Sequence, residues 1–267
     1  MLAPIDSYRG RTLNFAHRGV RSQAPENTLS AFQLAADLGA DGVELDVRLS
    51  ADSVPVVIHD ERVDHLTDGS GYVADLLLAR LKELDAGVSF GPQYAGTRIP
   101  TLREVFEAFG DRLLLNVELK PCAVGARLAE LVAGMVISHG LAGTVLVSSF
   151  SRPLLDRVRE VAPEIGLGYL FSPRPLARLL NGHAALMTTP YQALHPHYRM
   201  VNGRFVRRAH LHGYRVNVWT VNRMRDIRRL LALNVDMIIG DNPECVRDVL
   251  AGDLYRDDQG DKSCSAS

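Results

Sequence analysis

His17, Arg18, Glu44, Asp46, His59, Glu118 and Lys120 each stand at or near the end of a short apolar run. Two imidazoles, three carboxylates, a guanidinium and an ammonium form a set that can hold a divalent cation, grip a phosphate and move protons on both sides of it. Glu44 and Asp46 are two apart, so on a strand both carboxylates point the same way. A strand covered on both faces looks onto helices or into packed interior, which makes a solvent-facing acidic pair a poor reading. Buried carboxylates so close repel each other unless a cation joins them or basic side chains pair with them. Glu118 adds a third, after the almost wholly apolar run Leu113–Val117. An all-oxygen set selects a hard cation, Mg²⁺ or Ca²⁺, with structural ion pairing as the alternative.

A histidine at a strand end is, taken alone, more often packed than catalytic. Beside such a cluster, His17 and His59 can divide proton removal and proton donation, because one can be neutral and the other charged near pH 7. Arg18 offers a planar fork for phosphate oxygens. Lys120 supplies a second positive charge or simply neutralises Glu118. Asn27 or Thr28 is expected to cap the apolar helix that follows. Trp219, the single tryptophan, follows Val216-Asn217-Val218 and reads equally as core filler or as a wall of a pocket. His195 and His197 flank Pro196 at another strand end, near enough to line that pocket. His65, His139, His183, His210 and His212 read as surface.

Eight β-rich runs position these residues: Leu13–Ala16, Gly42–Val47, Leu113–Glu118, Thr144–Ser148, Gly166–Phe171, Ala193–His195, Arg215–Thr220 and Asp236–Gly240. Amphipathic stretches such as Thr28–Leu38, Leu102–Phe109 and Val124–Ser138 lie between them. Strand alternating with helix argues for a parallel sheet, and eight units in one domain argue for closure. The expected fold is therefore α/β, a TIM-like (β/α)8 barrel. Val54–Ile58 breaks the alternation, being too close to Gly42–Val47 for a parallel crossover. An antiparallel hairpin arm turning near Asp52-Ser53 accounts for it, and a turn centred there sets Asp46 opposite His59. Residues about 60–100 then read as a small subdomain inserted over the barrel. Residues 1–252 form the single barrel domain, and 253–267 a polar, disordered tail.

The chain has 267 residues and a net charge of −1. That length suits one barrel, for which ~250 residues is typical. Near-neutral charge speaks against nucleic-acid binding. No apolar run approaches the length of a membrane span, and the expected location is cytoplasmic. Cys122, Cys245 and Cys264, odd in number and without metal-ligand spacing, imply neither a disulfide framework nor a zinc site.

The string Phe15-Ala16-His17-Arg18-Gly19 through Pro25-Glu26-Asn27-Thr28 resembles the opening motif of the glycerophosphodiester phosphodiesterase family. Glu44-x-Asp46, Val56-Val57-Ile58-His59-Asp60, Val117-Glu118-Leu119-Lys120, Val218-Trp219-Thr220-Val221-Asn222 and Asp241-Asn242-Pro243 resemble the rest, in order. The resemblance implies one divalent cation held by Glu44, Asp46 and Glu118, and acid–base work by His17 and His59. It also implies phosphate contacts from Arg18 and Lys120, and Trp219 on the glycerol side. The implied substrate is a small glycerophosphodiester, cleaved to glycerol 3-phosphate and an alcohol. Three departures stand out: His65-Leu66-Thr67, Gly240 before Asp241, and Ala51-Asp52-Ser53 at the hairpin turn. Rival readings are a lysophospholipase D or sphingomyelinase D type enzyme, and a catalytically silent phosphate-binding barrel.

Overall fold

The computed structural model describes residues 10–172 and 188–252. Its strands are β1 (Leu13–His17), β2 (Gly42–Leu49), β3 (Pro55–Val57), β4 (Leu114–Leu119), β5 (Val145–Ser149), β6 (Gly166–Phe171), β7 (Ala193–Pro196), β8 (Arg215–Val218) and β9 (Met237–Gly240). Eight of them pair in parallel, and β1 pairs with both β2 and β9. The sheet therefore closes in the order β1–β2–β4–β5–β6–β7–β8–β9. This is the expected (β/α)8 barrel, with helices such as α1 (Leu29–Asp37), α3 (Leu102–Phe109) and α4 (Gly125–Ser138) outside it; the one-turn α2 (Leu78–Leu81) belongs to the inserted segment. The proline-crowded sixth barrel strand forms, with Pro196 at its last position, where a missing N–H costs the ladder least.

Side-chain alternation decides which residues face the barrel axis. Val43, Leu45 and Val47 of β2 are buried with Phe32 of α1, Leu102 and Val105 of α3. Glu44 and Asp46, between them in sequence, must point inward. The N-terminal half of the barrel interior is plugged by Leu13, Phe15, Leu114, Leu146, Met237 and Ile239. Gly42 makes room for that plug: a Cβ there would lie 2.6 Å from Phe15 Cζ and 2.3 Å from the Leu114 carbonyl oxygen. Above the plug the interior turns polar, and the C-terminal strand ends form the open face, the usual place for a barrel active site.

β2 runs past the barrel, and Val47, Arg48 and Leu49 pair antiparallel with Val57, Val56 and Pro55. The expected arm is present, but its register differs by one residue. Ile58, not His59, lies opposite Asp46, and its N–H donates to the Asp46 carbonyl at 2.9 Å. The cause is the turn, which centres on Asp52: Ser50 Oγ donates to the Asp52 carboxylate and accepts from Val54 N. Regular pairing ends at Val57, and His59 reaches the open face from irregular backbone beyond it. Residues between Ile58 and Ile99 enclose a satellite core of Ile58, Val63, Val73, Leu81, Leu84 and Ile99.

Cys122 is exposed and free. Cys245 is disulfide-bonded, one bridge and not the framework that the odd count speaks against. His183 and the tail from 253 fall outside the described residues. Among the described residues no helix is long and apolar enough to cross a membrane.

Candidate active site

Glu44 and Asp46 from β2 and Glu118 from β4 converge at the C-terminal face, each with a carboxylate oxygen within 4.8 Å of the others. Strand register makes this unavoidable: His17 pairs with Glu44, and Asp46 pairs with Glu118. The three expected metal residues, His17 and Lys120 are thereby brought to one rim, which His59 joins from the backbone beyond β3.

The cations flanking this cluster are already engaged. Lys120 Nζ lies 2.8 Å from Glu118 and 3.0 Å from Asp46. Arg18 bridges Glu26 at 2.8 Å and Asp46 at 3.3 Å, and its backbone N–H donates to Glu44 at 3.1 Å. Arg18 takes a left-handed backbone, φ 55°, strain that only a constrained surrounding sustains. Lys120 thus neutralises Glu118, as one of its two readings held, while still lining the same cavity as Arg18.

Charge is shared unequally. Burial and repulsion by Asp46 and Glu118 push Glu44 well above the usual carboxylate range, more than Arg18 and Lys120 pull it back. Burial and Asp46 likewise push Glu118 up to about 7. Burial acts the same way on Asp46, but Lys120, Arg18, His59 and the Asn27 hydrogen bond outweigh it and hold that carboxyl well below its ordinary value. Two carboxyls pushed up by burial and mutual repulsion around a third that stays ionised make an all-oxygen donor set that fits a hard divalent cation. Because a metal binds only the carboxylate form, divalent-cation affinity should fall as pH drops below about 7, where Glu118 takes up its proton. Calorimetric titration at pH 6 and pH 8 checks this; equal affinities at both would contradict it.

The histidines are oriented by carboxylates that reasoning from sequence did not assign. His17 Nδ1 lies 2.7 Å from Asp241, which follows β9; Asn222 holds that carboxylate with its amide at 2.6 Å and accepts from the Asp241 N–H. His59 Nδ1 lies 2.7 Å from Asp60. A carboxylate can only accept, so each Nδ1 carries hydrogen. His17 Nε2 is left beside Glu44 at 3.9 Å. Burial lowers His59 below the ordinary imidazole value despite the pull of Asp46.

Asn27 is the clearest omission. Thr28 is the helix cap, its Oγ1 accepting from Ala31 N, as expected. Asn27 instead brackets Asp46, donating to its carboxylate at 2.9 Å and accepting from its backbone N–H at 3.2 Å. Its left-handed backbone, φ 58°, is one that asparagine tolerates better than most residues. Its place just before the cap was the available signal.

Trp219 is half-buried in the cavity wall, packed against the barrel plug. Its indole N–H donates to the His195 carbonyl at 2.8 Å, and its ring meets Phe150 and His197 edge to face at 5.5 and 5.4 Å. His195 is fully buried in the barrel interior against Asn217, 2.9 Å away, and burial drives its value down to about 3. Gly168 makes this possible, since a Cβ there would fall 2.3 Å from His195 Nε2. His65, His210 and His212 are exposed, as expected, while His139 is half-buried.

Residues 17–245 match the family described as the glycerophosphoryl diester phosphodiesterase family. The chain is 41% identical over 236 residues to a glycerophosphodiester phosphodiesterase of Caldanaerobacter subterraneus subsp. tengcongensis, covering 88% of this chain and 96% of that one. A Bacillus subtilis glycerophosphodiester phosphodiesterase is 31% identical, covering 91% and 87%. A solved phosphodiesterase of Oleispira antarctica, in complex with the product sn-glycerol-3-phosphate, superposes with a TM-score of 0.83 at 32% identity, covering 92% of this chain and 99% of that one.

Proposed function

The chain belongs to the glycerophosphoryl diester phosphodiesterase family and is a phosphoric diester hydrolase of glycerophosphodiesters, and from that premise we propose how its residues share the reaction. Glu44, Asp46 and Glu118 would hold one divalent cation, Mg²⁺ or Ca²⁺. Bound there, it would neutralise charge developing on the phosphoryl oxygens. Arg18 and Lys120 hold the phosphate on the same floor; both stay charged because Asp46 and its neighbours oppose the cost of their burial. His17 and His59 exchange protons with the nucleophile and the departing alkoxide through Nε2, with Asp241 and Asp60 fixing each ring.

The observation that carries this reading is the single cavity lined by His17, Arg18, Glu44, His59, Glu118 and Lys120. Trp219 and Phe150 in its wall offer apolar faces for the glycerol carbons. A catalytically silent barrel would have no use for two carboxylate-oriented imidazoles beside a cluster of three carboxylates. Residues 1–252 act as one barrel unit with the segment near 60–100 inserted in it.

The substrate should need its glycerol. Glycerophosphocholine should be cleaved to glycerol 3-phosphate at least about 100-fold faster than diethyl phosphate, a loss of binding contacts worth roughly 3 kcal/mol. Comparable kcat/KM for the two would contradict a glycerol pocket.

A further inference from the structure

The catalytic cavity measures about 110 Å³, below the roughly 300–1,000 Å³ of sites that enclose a whole small ligand. Beside it lies a larger groove of about 440 Å³ between the hairpin arm and the segment after β4. The two are continuous along the chain. Lys120 lines the first, while Pro121, Cys122 and Val124 line the second; His59 lines the first, and Glu61 the second. Arg48 stands in the groove wall, on the same face of β2 as Glu44 and Asp46 and one step further out.

Arg48 is a half-buried cation with spare hydrogen-bond capacity. Its Nε donates to the His59 carbonyl at 2.8 Å. Among the described residues its terminal nitrogens make no hydrogen bond, and the carboxylate nearest to them, Glu61, lies 3.9 Å away. The Arg48 side chain is 14% exposed and that of Glu61 69%. The guanidinium is thus the deeper member of the pair, and the groove presents it as a hydrogen-bond-donating wall beside one exposed carboxylate.

We propose that this groove binds the departing alcohol, and that Arg48 selects diesters whose alcohol is a polyol over those ending in a quaternary ammonium. The inference rests on the function proposed above. A phosphodiester carries its two organic arms on different sides of phosphorus. With the glycerol against Trp219, beyond β8, the other arm points away from that wall. In the barrel order β1 and β9 separate β8 from β2, so the arm leads toward Arg48. Hydroxyls accept hydrogen bonds from the guanidinium, whereas a trimethylammonium accepts none.

The test is kcat/KM for glycerophosphoinositol, glycerophosphoglycerol and glycerophosphocholine in wild type, Arg48→Gln and Ala123→Trp. Wild type should prefer the two polyol diesters by about tenfold, the effect of one charge-assisted hydrogen bond. Arg48→Gln should bring the ratio toward unity. Because the ratio is taken within one variant, any effect on His59 cancels. Ala123→Trp, which narrows the groove at a residue that does not line the catalytic cavity, should raise KM for the polyol diesters and leave kcat largely intact. Turnover of all three diesters without preference, or a preference that survives both substitutions, overturns the inference alone. No turnover of any glycerophosphodiester overturns the inference together with the function beneath it.

Discussion

Alanine in place of His17 or His59 is expected to lower kcat by on the order of 10²–10⁴-fold while the protein still folds and still binds a divalent cation. Neither imidazole belongs to the carboxylate cluster, and neither is needed to fill the core. Each is held by one carboxylate at 2.7 Å, Asp241 for His17 and Asp60 for His59, so alanine removes a proton carrier without stranding a buried charge. The pH profile separates the two. Burial holds His59 below the ordinary histidine value, so it changes charge on the acid side. A bell-shaped kcat/KM profile recorded at saturating divalent cation should therefore show its lower limb below pH 6.5 in wild type, and His59→Ala should lose that limb. Near wild-type rates in both variants would show that protons are exchanged elsewhere.

The two acids of β2 should respond to neutralisation in opposite ways. In Glu44→Gln and Asp46→Asn alike, activity should fall by more than about 10³-fold, since a cation held by carboxylates supplies several kcal/mol at the transition state. Stability of the metal-free protein should diverge. Asp46 is the acid that Lys120, Arg18 and Asn27 surround, and it stays ionised. Removing its charge leaves two buried cations short of a partner, a loss of about 3–5 kcal/mol for a broken buried pair. Glu44 is repelled by Asp46 and Glu118 and pushed up by burial. A glutamine of the same shape, able to accept from Arg18 N as Glu44 does, relieves that repulsion. Metal-free Glu44→Gln should melt at or above wild type, and Asp46→Asn well below it. Thermal melts with and without Mg²⁺ or Ca²⁺ read both effects: wild type should gain stability from the ion, and neither variant should. A Glu44→Gln variant less stable than Asp46→Asn would show that the charges are not shared as described.

Local features of the sequence carried the barrel and most of its rim. Period-two alternation through Val43-Glu44-Leu45-Asp46-Val47 fixes which side chains face inward, whatever the strands pair with. Alternating strands and helices then leave few topologies, and closure brings Glu118 to Asp46 without further information. What stayed hidden depends on contacts between distant segments. Asn27 could be seen only as a neighbour of a helix cap, because its hold on Asp46 arises from a left-handed turn that sequence does not announce. Asp241 follows a strand and so sits on the right rim, yet its partner His17 is 224 residues away. The hairpin register slipped because Ser50 and Asp52 set the turn centre through side-chain bonds, and half a residue there moves every pair by one. His195 reads as a pocket histidine beside Pro196; only the space over Gly168 reveals that its ring lies inside the barrel.

The most direct test of the account is turnover of glycerophosphocholine followed by phosphorus-31 NMR, on enzyme stripped with chelator and then supplied with Mg²⁺ or Ca²⁺. The arrangement of Glu44, Asp46 and Glu118 predicts no product from the stripped enzyme, and glycerol 3-phosphate as the phosphorus-bearing product once the cation is restored. Full turnover by exhaustively stripped enzyme, or release of phosphocholine in place of glycerol 3-phosphate, would contradict it.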